Sequence, residues 1–224
     1  AFYQRGGSTQ TIRIVNNTFY NELGGYAYFI QKKNHIQESN YNNYYTTGSV
    51  LAKWNGDRNT LNDLKNANGK DLNSINVDPL YTSFTDLTPN DAALWRAGGP
   101  VSGVTVDIFD TLRYLSSPCI GAVEFSIPAN DAAIDAITAP VNPAIAGVLP
   151  VVVSIKNYGS ANLDSVTINW SVNGLVQSPY YWTGQLLHST TQSNISLGNY
   201  NFSSGSYEVK VWTSNPNGQP DGNN

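Results

Sequence analysis

The side chains that could transfer a proton or hold an ion are thinly spread. Arg13, Glu22, Lys32, Lys33, His35, Glu38 and Asp57 are the candidate acids, bases and cations of the first half, and none sits in a recognisable catalytic constellation. His35 and His188 stand alone, without a second ligand at metal-binding spacing. Cys119, between Pro118 and Ile120 in an apolar stretch, reads as a small core hydrophobe. Asp107 and Asp110 with Arg113 could hold a cation, but a structural salt bridge closing the last coil is the leading reading. Asn217, Asp221 and Asn223 offer oxygen ligands suited to Ca2+, the one cofactor the sequence suggests. Aromatic clusters are the remaining chemistry. Tyr41, Tyr44, Tyr45 and Trp54 form one, and Tyr180, Tyr181 and Trp182 another. Such rings stack on sugar faces while their polar edges bond hydroxyls, and packing against a neighbouring loop is the competing role.

The elements that must position these residues are strands. Asn occurs 28 times, whereas charged residues make up only 12% of the 224 residues, about half the usual quarter. Asn tolerates left-handed backbone and bonds its own chain, so turns should be many and the protein all-β. With a net charge of −4 and no basic cluster beyond Lys32-Lys33, a nucleic-acid partner is excluded. No apolar run reaches the roughly 18–20 residues that span a bilayer. The single cysteine precludes an internal disulfide. The lack of any Met, including at position 1, is expected of a chain that begins inside a longer polypeptide.

Patterning divides the chain near Pro128-Ala129-Asn130. Beyond it, strands are predicted over 132–137, 147–157, 165–172, 175–182, 192–197 and 206–213. Val166, Ile168, Trp170 and Val172 share one face, and Asn173-Gly174 is a strong hairpin signal. Trp170 should lie in the core, and Trp212 should face away from it. That pattern predicts a β-sandwich. Before the joint, short strands over 11–15 and 18–20 flank an Asn16-Asn17 corner. A strand over 26–30 follows, then a stretch with Asn at its bends over 35–45. Short strands with Asn-marked corners at roughly 20-residue intervals predict the coils of a parallel solenoid. Capping boxes at Thr60 to Asp63 and Thr88 to Asp91 predict two short helices, ended at Gly69 and Gly98-Gly99.

Several segments of the first half resemble the terminal part of bacterial right-handed parallel β-helix proteins. They are Asn42 to Tyr45, Trp54-Asn55-Gly56, Gly69 to Ile75, Val77 to Tyr81, Asp107 to Asp110 with Arg113, and Ile120 to Phe125. Thr111 and Cys119 depart from the pattern, which usually has Gly and Asp or Ala there. Residues 130–224 resemble the cell-adhesion-related immunoglobulin-like module called CARDB. The resemblance rests on Asn130-Asp131-Ala132, Val151 to Gly159, Ile168 to Gly174, Trp182-Thr183-Gly184 and Asn215 to Asp221. The resemblances imply an all-β chain, with terminal β-helix coils and cap over 1–127 and an immunoglobulin-like sandwich over 130–224. They also imply a large exported bacterial surface protein with further domains as partners of this part. Its implied tasks are adhesion, polysaccharide or surface-glycan binding, or breakdown on coils outside this stretch. A purely structural cap and spacer is the third reading.

Overall fold

The computed structural model describes residues 2–4 and 11–222. Its regular structure is mostly strand, with one α-helix among the described residues, and the chain falls into two compact units, Ala1–Ser126 and Ile127–Asn224. Among the described residues no helix is long and apolar enough to cross a membrane.

The strands of the first unit are β1 (Phe2–Gln4), β2 (Ile12–Val15), β3 (Thr18–Asn21), β4 (Tyr28–Ile30), β5 (Ile36–Asn40), β6 (Asn43–Thr46), β7 (Ala52–Trp54) and β8 (Asp57–Arg58). Parallel pairing joins β1 to β4, β4 to β7, β2 to β5 and β3 to β6. The chain therefore passes the same three strand positions repeatedly. Asn17 meets Asn42 and Arg13 meets Glu38, each pair 25 residues apart. The corner between β2 and β3 is made by Asn16 in left-handed backbone (φ 60°), and Tyr41 repeats that conformation (φ 54°) between β5 and β6.

Asn42 locks these corners together. Its Oδ1 accepts from the backbone and side-chain nitrogens of Asn17 at 3.0 and 3.2 Å, and its Nδ2 donates to the Ile14 carbonyl at 2.8 Å. Asn43 extends the pattern to a third pass, exchanging both amide bonds with the backbone of Val77. Inside the passes, Phe19, Tyr28, Tyr44 and Trp54 stack at centroid distances of 5.0–6.3 Å among Ile14, Ile30, Ile36 and Leu51.

Helix α1 (Leu61–Asn68) starts at the predicted capping box, with Thr60 and Asp63 bonding each other's backbone nitrogens. It ends at left-handed Gly69 and buries Leu64. The second predicted helix does not form at Thr88. Asp86 binds the Thr88 nitrogen, and Asn90 is held by Pro79 and Leu80 carbonyls, so residues 88–90 stay outside any helix. Only a 3-10 turn, Ala92–Leu94, follows, capped by Asp91.

The strands of the second unit are β9 (Ala132–Ala139), β10 (Gly147–Asn157), β11 (Leu163–Val172), β12 (Leu175–Val176), β13 (Tyr180–Leu186), β14 (Thr191–Phe202) and β15 (Val209–Ser214). One antiparallel sheet runs β14-β10-β9, and in the other β11 pairs with β12, β13 and β15. Val151, Val153, Ile155, Ile195 and Leu197 of the first sheet share a core with Val166, Ile168, Trp170, Val172 and Trp182 of the second. Asn173 and Gly174 both take positive φ, as a primed two-residue turn demands. The single strand predicted over 175–182 is broken after Val176. Gln177 and Ser178 instead bond Trp170, through its carbonyl and its indole nitrogen, and Pro179 has no N–H for the ladder. Trp212 is exposed, as predicted.

Candidate functional site

A groove of about 380 Å³ lies on the first unit. One wall is Asn16, Asn17, Thr18 and Tyr20, from the corner and β3. The other is Tyr81, Ser83, Phe84 and Leu87, from the loop after the third pass. That loop is shaped by its own short polar side chains. Asp78 accepts from the Leu80 nitrogen, Ser83 from the Thr85 and Asp86 nitrogens, and Asn90 closes the loop onto Leu80. Phe84 projects from it, 83% exposed.

Tyr20 is the hub. Its ring stacks on Tyr45 of the next pass at 5.7 Å and 11°, and meets Tyr81 edge-on at 5.5 Å. Its hydroxyl donates to the Glu22 carboxylate at 2.5 Å. That bond, with desolvation and the carboxylate's charge, pushes the Tyr20 pKa up to about 12. The Asp78 carboxylate likewise raises Tyr45, and burial raises Tyr81. The groove is thus walled by aromatic rings and floored by amides and hydroxyls. Such a surface can stack a flat ring and bond hydroxyls around its edge.

Of the seven aromatic candidates, only Tyr45 belongs to this groove system. Tyr44 is fully buried and donates to Asp71, and Trp54 is 4% exposed against Tyr28, so neither offers a face to a ligand. Tyr41 is half-buried, its ring filling the space a side chain on Gly99 would need. In the second unit Trp182 points inward (8% exposed), and its indole covers the position of a Cβ on Gly184. Tyr181, on the opposite face of β13, is 73% exposed, and Tyr180 is at the edge of exposure. Tyr20, Tyr81 and Phe84 were missed by sequence reasoning. The 25-residue offset between Tyr20 and Tyr45, the same as that between Asn17 and Asn42, was the signal that could have found Tyr20.

Several of the ionic candidates are occupied. Arg13 pairs with Glu38 at 2.7 Å, and Lys53 and Tyr26 share Asp57. Lys33 lines an open polar hollow near Asp57 and Asp63, whereas Lys32 caps, and His35 ends, a 3-10 turn, Lys33–His35. His188 bonds the Gly159 carbonyl through Nδ1 and Ser189 through Nε2. Cys119 is buried, which pushes its thiol up to about 11, in keeping with a core role.

Two expected arrangements, a salt bridge and a calcium ligand, are corrected. Arg113 does not pair with Asp107 or Asp110. It reaches the buried Glu124 at 3.3 Å and donates to the Cys119 and Gly121 carbonyls. Asp107 instead accepts from the Phe109, Thr111 and Glu124 backbone nitrogens. Burial opposes its ionisation, but those three donors, aided by Arg113, hold its carboxyl below the usual range. A depressed folded pKa contributes stability above the unfolded value, and that stability is lost as pH falls through the folded one. The melting temperature of the first unit should therefore drop as pH falls below about 4. Asp107→Asn should be weaker at neutral pH and flatter across a titration from pH 6 to 3.

The proposed calcium ligand Asn217 is a clamp. Its Oδ1 accepts from the Asp164 and Ser165 nitrogens, and its Nδ2 donates to Asn130 and to the Asn162 carbonyl. No lone pair is left to point at a cation. Asp221 accepts from Ala132 and Thr213. Asn223 lies outside the described residues. Among the described residues no group of three acidic, His or Cys side chains is placed to hold a metal.

No family model, curated protein or solved structure matches the chain.

Proposed function

We propose that residues 1–127 are the C-terminal coils and cap of a right-handed parallel β-helix. Residues 130–224 are then an immunoglobulin-like sandwich of the CARDB type. In this reading the protein is a non-catalytic, glycan-contacting part of an exported bacterial surface protein. It acts outside the cell, and its partners are a polysaccharide or surface glycan and other domains of its own chain. The 25-residue parallel register supports the first assignment, and two antiparallel sheets over one apolar core support the second.

The observation that carries the function is the groove at Tyr20, Tyr81 and Phe84. Its polar lining consists of amides and hydroxyls, which bind sugar hydroxyls and do not exchange protons readily at neutral pH. The test is electrophoresis of the protein through gels carrying a panel of polysaccharides, with parallel assays for new reducing or unsaturated ends. Retention by at least one polymer without new ends is expected. Tyr20→Ala should weaken it about tenfold, whereas Tyr181→Ala should leave it unchanged. New chain ends would overturn the non-catalytic reading, and absence of retention throughout would overturn the glycan reading.

A further inference from the structure

We propose, resting on the glycan reading above, that this groove selects uncharged sugar chains and rejects uronate-bearing ones. All the residues lining it are uncharged. The charges held next to it are carboxylates. Glu22 is bonded to the Tyr20 hydroxyl, Asp78 is coupled to the Tyr45 hydroxyl, and Asp86 lies two residues beyond Phe84 in the same loop. Two guanidinium groups that could answer a ligand carboxylate are already engaged. Arg113, in the adjoining cavity that shares Asn16, Asn17 and Gly121, is paired with Glu124, and Arg13 is paired with Glu38.

Hydrogen-bond polarity points the same way. The Tyr20 hydroxyl spends its proton on Glu22, so it has none to donate to a ligand. Asn16 is closed on both sides, donating to the Gly99 carbonyl and accepting from the Gly99 nitrogen, and Asn17 donates to the Val15 carbonyl and to Asn42. Amide donors that could answer a ligand carboxylate are therefore already engaged. Sugar hydroxyls can donate to such a site. A uronate carboxylate only accepts, and it would be desolvated there without a counter-charge while facing fixed negative charge.

The test uses the whole chain in low-salt affinity gels, where surface charge effects are least screened. Each neutral polysaccharide of the panel is run beside the same polymer oxidised at C6 to the uronate. Polygalacturonate is run beside its carboxyl-reduced form. Retention by a neutral polymer should fall at least about tenfold on oxidation. Reduction of polygalacturonate should raise retention, and Glu22→Gln should narrow the gap by strengthening the oxidised arm about threefold. Equal or stronger retention by the oxidised polymers, still lost in Tyr20→Ala, would overturn the selectivity and leave the glycan reading standing. No retention in any arm, or retention indifferent to Tyr20→Ala, would overturn both.

Discussion

Asp71→Ala is expected to lower the stability of the first unit by about 4 kcal/mol or more. Asp71 is fully buried, in left-handed backbone (φ 58°) just beyond the end of α1. Its Oδ1 accepts from Ser39, Tyr44 and Ser74 at 2.8–3.0 Å and from Asn42 at 3.4 Å, and its Oδ2 from Asn68 at 2.7 Å. Alanine would strand several buried donors at once, each costing about 1–3 kcal/mol when left unmade. Asn42 belongs to the same network, so the lock between successive corners would loosen as well. Asp71→Asn should be milder, about 1–2 kcal/mol, because an amide oxygen can still face the four donors. Its NH2 would then oppose Asn68, whose own oxygen is held by the Lys70 nitrogen. Urea unfolding, with amide hydrogen exchange to assign the loss to residues 11–126, checks the size and the order of the two variants. A loss under about 1 kcal/mol for alanine would show that the network is dispensable.

Glu124→Ala should cost the same unit about 3–5 kcal/mol, because it leaves the Arg113 guanidinium buried without its counter-charge. Arg113 and Glu124 side chains are 9% and 4% exposed, and Glu124 also accepts from the Cys119 nitrogen through both oxygens. Removing both charges together, as Arg113→Met with Glu124→Gln, should cost clearly less than Glu124→Ala alone. The deficit of the single variant should persist at high salt, since a buried pair is poorly screened. By contrast, breaking the exposed Arg13–Glu38 pair should change the stability by less than about 1 kcal/mol.

Local features were legible in the sequence, and the residues facing across passes were not. The strand over 147–157, the alternation from Val166 to Val172, the Asn173-Gly174 turn and the Thr60 capping box each depend on neighbours within a few residues, and each formed. The corner at Asn16-Asn17 was visible for the same reason. The burial of Tyr44 and Trp54 was hidden, because it is decided by Tyr28, which sits on another pass. Trp182 turns inward because alternation along β13 puts its neighbour Tyr181 outward. The groove required Tyr20 and Tyr81, 61 positions apart in the sequence, and no local pattern links them. Asp71 and Ser74 lie within the Gly69 to Ile75 segment on which the family resemblance partly rests. Their mutual bond, and the convergence of Ser39 and Tyr44 on the same oxygen, gives that segment a physical purpose.

The seating of one Asn against another 25 residues later also makes length modular. Residues 17–41 behave as a cassette whose two ends present equivalent seats, so an in-frame duplication would find its partner on either side. The next interval, from Asn43 to Val77, is 34 residues and takes in α1, so length can vary between passes as long as each pass returns a partner to the amide seat.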